Sequence, residues 1–317
     1  MKSAVLYSRI LRHRARLYFR KGALSMKHVD VVWSAIKLTL SGALLAGLCG
    51  TSNAGAIFLT GHDPDFHAYL GGNLTGARDF NNVAIDYILD PGFNTFVSTA
   101  PKFLFVESSI SPPSGHVNGV NGIIASGYAS GVDFDFADSS TLNAALNSLG
   151  VAGGYSGLVI ASDFGGVLGQ AELDILDARS ADIINFLNAG GGLYAMAESG
   201  APYGLTSSGE FGFLPFIVSS AALNQSEIGN TLTSFGSSLG LLVTDINGNA
   251  SHNIFTSTGG MNVVDNDSAG HILSLATRSQ ITSGGVVGSV PEPESAMLLL
   301  IGMGGLALTR TRKRGLN

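Results

Sequence analysis

The chain contains very little cysteine and, away from its two ends, very few basic residues. Its single cysteine, Cys49, lies near the N-terminus, so residues 57–290 contain no thiol nucleophile and can form no disulfide. The same residues carry four Lys/Arg against 20 Asp/Glu, a formal charge of −16, whereas the whole chain carries −6. A body this acidic has no positively charged surface for a phosphate backbone, which excludes a nucleic-acid partner.

Three blocks follow one another at the C-terminus. They are the Pro291-Glu292-Pro293 motif, an apolar segment at about 295–308, and a basic cluster of Arg310, Arg312, Lys313 and Arg314. The apolar segment is shorter than the roughly 20 residues of a permanent span, and the basic cluster obeys the positive-inside rule. An ordinary C-terminal membrane anchor is the alternative interpretation.

This order of blocks resembles the PEP-CTERM sorting signal of Gram-negative bacteria. The resemblance implies that exosortase recognises Pro291, Glu292 and Pro293 while the apolar segment crosses the inner membrane as a transmembrane helix. It further implies that the processed protein reaches the cell surface or an exopolysaccharide matrix. We therefore expect residues 291–317 to be a sorting signal and an inner-membrane intermediate to precede export.

The N-terminal region, residues 1–56, is typical of a secretory signal peptide. Lys27 and Lys37 precede an apolar stretch, 38–49, and a small-residue segment that includes Ala54 and Ala56 follows it. Signal peptidase needs this order of charged start, apolar centre and small-residue end. Cleavage after either alanine fits, and we expect translation to start at Met26.

The body, residues 57–290, alternates short apolar runs with helical patterns. Fully apolar strands separated by helices predict an α/β domain with a mainly parallel sheet and helices on both faces. The strand at 158–161 is expected to be central. Predicted strands lie at 57–60, 102–107, 119–128, 132–136, 158–161, 193–197, 241–244, 254–255, 261–264 and 272–276. Predicted helices lie at 79–89, 141–149, 170–188 and 231–242.

Residues 158–199 read as a strand, an Asp-Phe-Gly-Gly loop, a long helix, a Gly-Gly-Gly turn and another strand. This pattern resembles class I glutamine amidotransferase-like domains, which have a flavodoxin-like fold. The resemblance implies a nucleophile at the turn after the second strand, within 195–200 here. No cysteine stands there and no nucleophile-elbow motif is present, so the resemblance implies the fold without the catalytic residue.

The densest group of polar residues follows the first predicted strand. His62, Asp63, Asp65 and His67 lie within six positions. Ligand sites of parallel sheets lie at the carboxyl ends of strands, and these side chains are ligand types for a divalent cation. A polar loop in which an aspartate caps the following turn is the alternative.

Two further carboxylates, Asp163 and Glu198, end other predicted strands. If the sheet is parallel, both share an edge with the His62–His67 segment and are candidates for acid–base work or for binding sugar hydroxyls. The alternative is that they cap helices. The other acidic groups, 133–138 and 265–267, are interpreted as solvated turns, and His252 as a packing or surface residue.

Two functions remain open from the sequence. The first is an exported, exosortase-processed surface or matrix protein that is not an enzyme, has no cofactor and binds exopolysaccharide. The alternative is a hydrolase or metal-dependent enzyme that uses the His62–His67 segment with Asp163 or Glu198. The cheapest discriminator is geometry, because convergence of these side chains in one concave pocket favours an enzyme.

Overall fold

The structure, a computed structural model, describes residues 55–108, 119–163, 168–196, 211–214, 218–226, 229–282 and 285–286. The predicted signal peptide to residue 54, the sorting signal with its transmembrane segment, and Glu198 lie outside the described residues. Among the described residues, no helix is both long and apolar enough to cross a membrane.

Within the described residues, ten strands form one mixed sheet, and two more pair separately. The strands are β1 Ala56–Thr60, β2 Lys102–Val106, β3 Phe134–Ala137, β4 Tyr155–Ile160, β5 Gly192–Ala195, β6 Val218–Ser226, β7 Thr231–Leu232, β8 Ala250–Thr258, β9 Asn262–Asn266, β10 Ile272–Thr277, β11 Ile281–Thr282 and β12 Gly285–Val286. The main path runs β3-β2-β4-β5-β1-β10-β8-β6, β9 pairs with β10 and β7, and β11 pairs with β12.

The sheet has a parallel half and an antiparallel half. Strands β3, β2, β4, β5 and β1 are parallel throughout, and β10 joins β1 in antiparallel register. Strands β6 to β10 pair with one another only antiparallel. The α/β prediction is confirmed, and β4, which contains the predicted central strand, is the middle strand of the parallel half.

Seven α-helices accompany the sheet in the part of the chain that is described. They are α1 Pro64–His67, α2 Leu74–Leu89, α3 Gly119–Ala125, α4 Leu142–Ala145, α5 Gln170–Ala178, α6 Ser180–Asn188 and α7 Ser234–Ser238, and a 3-10 turn at Leu146–Ser148 extends α4. Helices α2 and α3 pack on one face of the parallel strands, and α4, α5 and α6 on the other. The predicted covering of both faces is confirmed.

Successive side chains of each strand point alternately into two hydrophobic cores, one on each face of the sheet. Phe58 of β1 points to the α2 face, where its ring meets those of Phe80, Tyr87 and Tyr194 edge-on at centroid distances of 5.6, 6.1 and 5.7 Å. Ile57 and the other odd positions of β1 face the opposite core. Because β1 is buried on both faces, its carboxyl end is fixed on all sides.

Four predicted elements differ from the structure. The helix predicted at 231–242 contains strand β7 and only the short helix α7. Residues 119–125 of the strand predicted at 119–128 form helix α3 instead. Gly122 lets this helix approach the segment that follows β1, since an added Cβ would lie 1.5 Å from the carbonyl oxygen of Asp65. The predicted helix at 170–188 is broken at Arg179 into α5 and α6. The predicted strand at 241–244 belongs to a turn in which Asp245 accepts the N–H of Leu242.

Candidate functional site

The segment that follows β1, residues 61–67 (the β1 loop), lies where the two halves of the sheet meet. Gly61 accepts the N–H of His252 at 2.8 Å, and an added Cβ on Gly61 would lie 2.0 Å from the carbonyl oxygen of Asn253. Pro64 then begins the four-residue helix α1, consistent with its fixed φ. The loop is therefore packed directly against β8.

The first polar residue of the loop contacts the antiparallel half. His62 Nε2 lies 2.8 Å from Asp265 Oδ2, and the two residues are 5% and 0% exposed. Asp265 belongs to β9. A buried pair of this kind is stabilising only because each polar group provides the hydrogen-bond partner that water would otherwise supply.

The next residue of the loop, Asp63, contacts two imidazoles. Asp63 is 1% exposed, and its two carboxylate oxygens lie 3.4 Å from His67 Nε2 and 3.3 Å from His252 Nε2. His67 follows one helical turn later, whereas His252 comes from β8. Asp63 therefore joins α1 to the antiparallel half.

Asp65 contacts the parallel half instead. Its Oδ1 accepts the hydroxyl of Ser162 at 2.7 Å and the N–H of Phe66 at 3.0 Å, and its Oδ2 accepts the N–H of Ser162 at 3.0 Å. Complete burial, with a smaller contribution from the charge of Asp63, raises the pKa of Asp65 to about 7. The loop therefore also links β1 to the end of β4.

A second buried carboxylate lies beside Asp65. Glu107 follows β2, is 0% exposed, and its Oε2 accepts the N–H of Val120 in the first turn of α3 at 3.0 Å. An added Cβ on Gly119 would lie 2.5 Å from Asp65 Oδ2 and 3.2 Å from Glu107 Oε2. Both carboxylates thus border the same glycine, and Glu107 occupies the end of α3 where an anionic ligand would otherwise bind.

Glu107 and Ser162, the partner of Asp65, follow the carboxyl ends of β2 and β4, where the strand order reverses. In open α/β sheets, ligands bind in the crevice at this point. Asp163 follows β4 there and is 2% exposed. Asp65 and Asp163 therefore lie at this edge, Asp63 contacts His67 and His252, and His62 contacts β9.

Two of the predicted residues, His62 and Asp63, line one small cavity. This enclosed cavity of about 10 Å³ is also lined by Asp245 and Asn249, and this volume has room for about one water molecule. In the ranges that the structure describes, no group of three or more His, Cys, Asp or Glu side chains has the arrangement of a metal site.

Several partners at this edge were not predicted from sequence. His252 was interpreted as a lone packing or surface residue and Asp265 as part of a solvated turn, yet Asp265 is 0% exposed and holds His62. Asp267 is also buried and accepts from the N–H groups of Ala269 and His271. The pairing of β8 and β9 with the β1 loop spans about 190 positions, and no local pattern predicts contacts of that range.

Comparison with known proteins adds no assignment. No protein-family model, curated protein or solved structure matches the chain. The chemistry of the site therefore depends on its own geometry. Buried carboxylates such as Asp63, Asp65 and Glu107 suit hydroxyl or N–H donors or a proton, and they disfavour phosphate.

We expect the raised pKa of Asp65 to appear in the pH dependence of stability. Between about pH 4 and pH 7 the folded state holds a proton that the unfolded carboxyl, with its ordinary pKa of 3.8, has released. Linkage then requires the Asp65 contribution to fall as pH rises through this window and to level off above pH 7. Asp65→Asn removes this term.

The measurement is urea unfolding of both proteins at pH 5 and pH 8. The stability of Asp65→Asn relative to wild type should improve by up to about 3 kcal/mol from pH 5 to pH 8. Asp174→Asn, which alters an exposed carboxylate, controls for the loss of one charge. An Asp65→Asn difference that is equal at both pH values would contradict the raised pKa.

Proposed function

We propose that this protein is an exported bacterial surface or matrix protein, processed by exosortase, whose α/β domain binds exopolysaccharide and is not an enzyme. The observation that carries the proposal is the order of Pro291–Pro293, apolar segment and basic cluster at the C-terminus. The apolar segment is shorter than a permanent span, which suits transient membrane insertion, and the basic cluster obeys the positive-inside rule.

The start of the described domain favours one of the two signal-peptidase sites. Gly55 and Ala56 are buried, the N–H of Gly55 donates to the carbonyl of Leu187, and Ala56 pairs with Gly192 in β1. Cleavage after Ala56 would remove the first residue of β1 and the hydrogen bond from Gly55 to Leu187. Cleavage after Ala54 leaves β1 whole, and we propose it as the site.

The geometry of the carboxyl edge supports a structural role for its carboxylates rather than a catalytic one. The oxygens of Asp65 are engaged by Ser162 and Phe66, and Glu172 accepts from Gly169 and Ser139. These bonds hold connecting segments in place. Strand β5 is followed by Met196, and no thiol is available in the stretch where the resemblance implies a nucleophile.

The strand order supports a flavodoxin-like architecture of a permuted kind. Flavodoxin-like sheets have the order 2-1-3-4-5. The parallel half has this order if counting begins at β2 and β1 takes the fifth place. We propose a circularly permuted flavodoxin-like half whose final strand, β1, also carries the antiparallel half.

Processing can be tested in an exosortase-containing Gram-negative host. Mass spectrometry of the surface and secreted fractions should find a chain that begins at Gly55 and lacks Arg310 to Arg314. Replacing Pro291, Glu292 and Pro293 by alanine should leave the full C-terminus in the inner membrane, because the recognition motif is lost. Glu294→Ala, one position beyond the motif, is the matched control. A surface species that retains Arg314 would contradict the proposal.

A hydrolase or metal-dependent enzyme is the second candidate function. The observation that favours it is Asp65, a carboxyl whose pKa of about 7 suits a general acid or base at neutral pH. Asp63 beside it and Asp163 at the same edge supply further carboxylates.

This candidate predicts a stabilising divalent cation, and thermal unfolding with Ca²⁺, Mg²⁺ or Zn²⁺ tests it. The ion should raise the melting temperature of wild type, and Asp63→Asn combined with Asp65→Asn should abolish the rise because it removes both loop carboxylates. Asp79→Asn with Asp174→Asn makes the same charge change at exposed positions. No shift with any ion in wild type would eliminate the metal-dependent version.

A further inference from the structure

A surface groove of about 520 Å³ lies away from the buried carboxylates, at the start of α2. Its lining residues are Asn73, Gly229, Asn230, Val243, Thr244, Asn247 and Gly248. The volume is within the range of small-molecule sites in proteins. The groove is built from three separate segments of the chain, the start of α2, residues 229–230 and the turn at 243–248.

Side-chain amides fix the shape of this groove. Asn247 accepts the N–H groups of Gly229 and Asn230 and donates to the carbonyls of Asn230 and Val243. Asn73 caps α2 by accepting from Gly76, and it donates to the carbonyls of Thr244 and Asn247. Because these bonds join groups within the protein itself, binding does not have to order the walls.

The groove is smooth and has an apolar side. Gly229 and Gly248 have φ values of 95° and 92°, in the left-handed region where a Cβ is strained, so these two positions favour the absence of a side chain. Val243 stands at the groove with 56% of its surface exposed. An exposed valine beside hydroxyl, amide and backbone groups matches a ligand with an apolar face and a polar rim.

The charge of the groove and of the body limits the class of ligand that can bind. None of the lining residues is ionisable, whereas residues 57–290 as a whole carry a formal charge of −16. The field of the body repels anionic chains, and the groove supplies no cation to bind them. A sugar ring of a neutral glycan has an apolar C–H face and a rim of hydroxyls, and it requires no counter-charge.

We propose that this groove binds a neutral glycan chain. The proposal rests on the proposed function and deepens it, since it assigns exopolysaccharide binding to a site and limits the ligand to uncharged sugars. The oxygen of the Thr244 hydroxyl and the groove's carbonyl oxygens accept from sugar hydroxyls, and Val243 packs on the ring face. An uncharged peptide is the competing ligand, and it is included in the test.

The test is isothermal titration of the purified full chain with defined probes. The probes are neutral hexasaccharides of glucose, mannose or galactose, a hexamer of galacturonic acid, and an uncharged Ser/Asn/Gly decapeptide. We expect at least one neutral hexasaccharide to bind. Val243→Glu should weaken that binding at least tenfold, because a hydrated carboxylate replaces the apolar contact without adding a positive charge.

Leu242→Glu is the matched control, since Leu242 is 63% exposed in the same turn but does not line the groove. It should bind like wild type, and thermal unfolding of both variants should match wild type. The proposal is overturned if no neutral hexasaccharide binds, if the acidic hexamer or the peptide binds more tightly, or if both variants lose binding equally. Binding by purified protein that is not processed in cells would leave this site standing and refute the localisation.

Discussion

Beyond the backbone pairing of β1 with β10, buried acidic and imidazole side chains at the β1 loop connect the two halves of the sheet. His62 and Asp63 are adjacent in the chain, and they contact Asp265 of β9 and His252 of β8. All four residues are at most 5% exposed. Each half therefore presents one carboxylate and one imidazole to the other. Leaving any of these groups without its partner in so buried a place would be destabilising.

The same loop sets the shape of the carboxyl edge. Asp65, two residues beyond Asp63, is bonded to Ser162 at the end of β4 and borders Gly119 beside Glu107. A single short segment thus connects β8, β9, β4 and α3. Polar residues are buried next to one another here because they bond these elements together. The loop therefore stabilises the fold whether or not it also binds a ligand.

Local sequence patterns predicted the strands and helices whose own residues show an apolar pattern. They failed where contacts with residues far along the chain decide the structure. The strands at 57–60 and 158–161 were predictable because they are apolar on both faces. Helix α3 was not, because its glycines reflect a close approach to Asp65. The candidate residues of the β1 loop were found from their density, but Asp265 and His252 were missed because strand pairing far along the chain places them.

Two surfaces with different chemistry result from this fold. The carboxyl edge is acidic and buried, and its hydrogen bonds hold the connections between strands. The groove at Asn73 and Asn247 is open and uncharged, and amide-to-backbone bonds hold its walls. The proposed neutral glycan needs an exposed, uncharged contact surface rather than a buried acidic one, and we therefore propose ligand binding at the groove.

The central claim is that the β1 loop couples the two halves through its buried pairs. A double-mutant cycle with His62→Ala, Asp265→Ala and the double variant, followed by urea unfolding at pH 7, measures that coupling directly. The account predicts a coupling energy of about 1–3 kcal/mol, as for a hydrogen bond to a charged group. Additive effects within about 0.5 kcal/mol would show that the two residues do not depend on each other, and would contradict it.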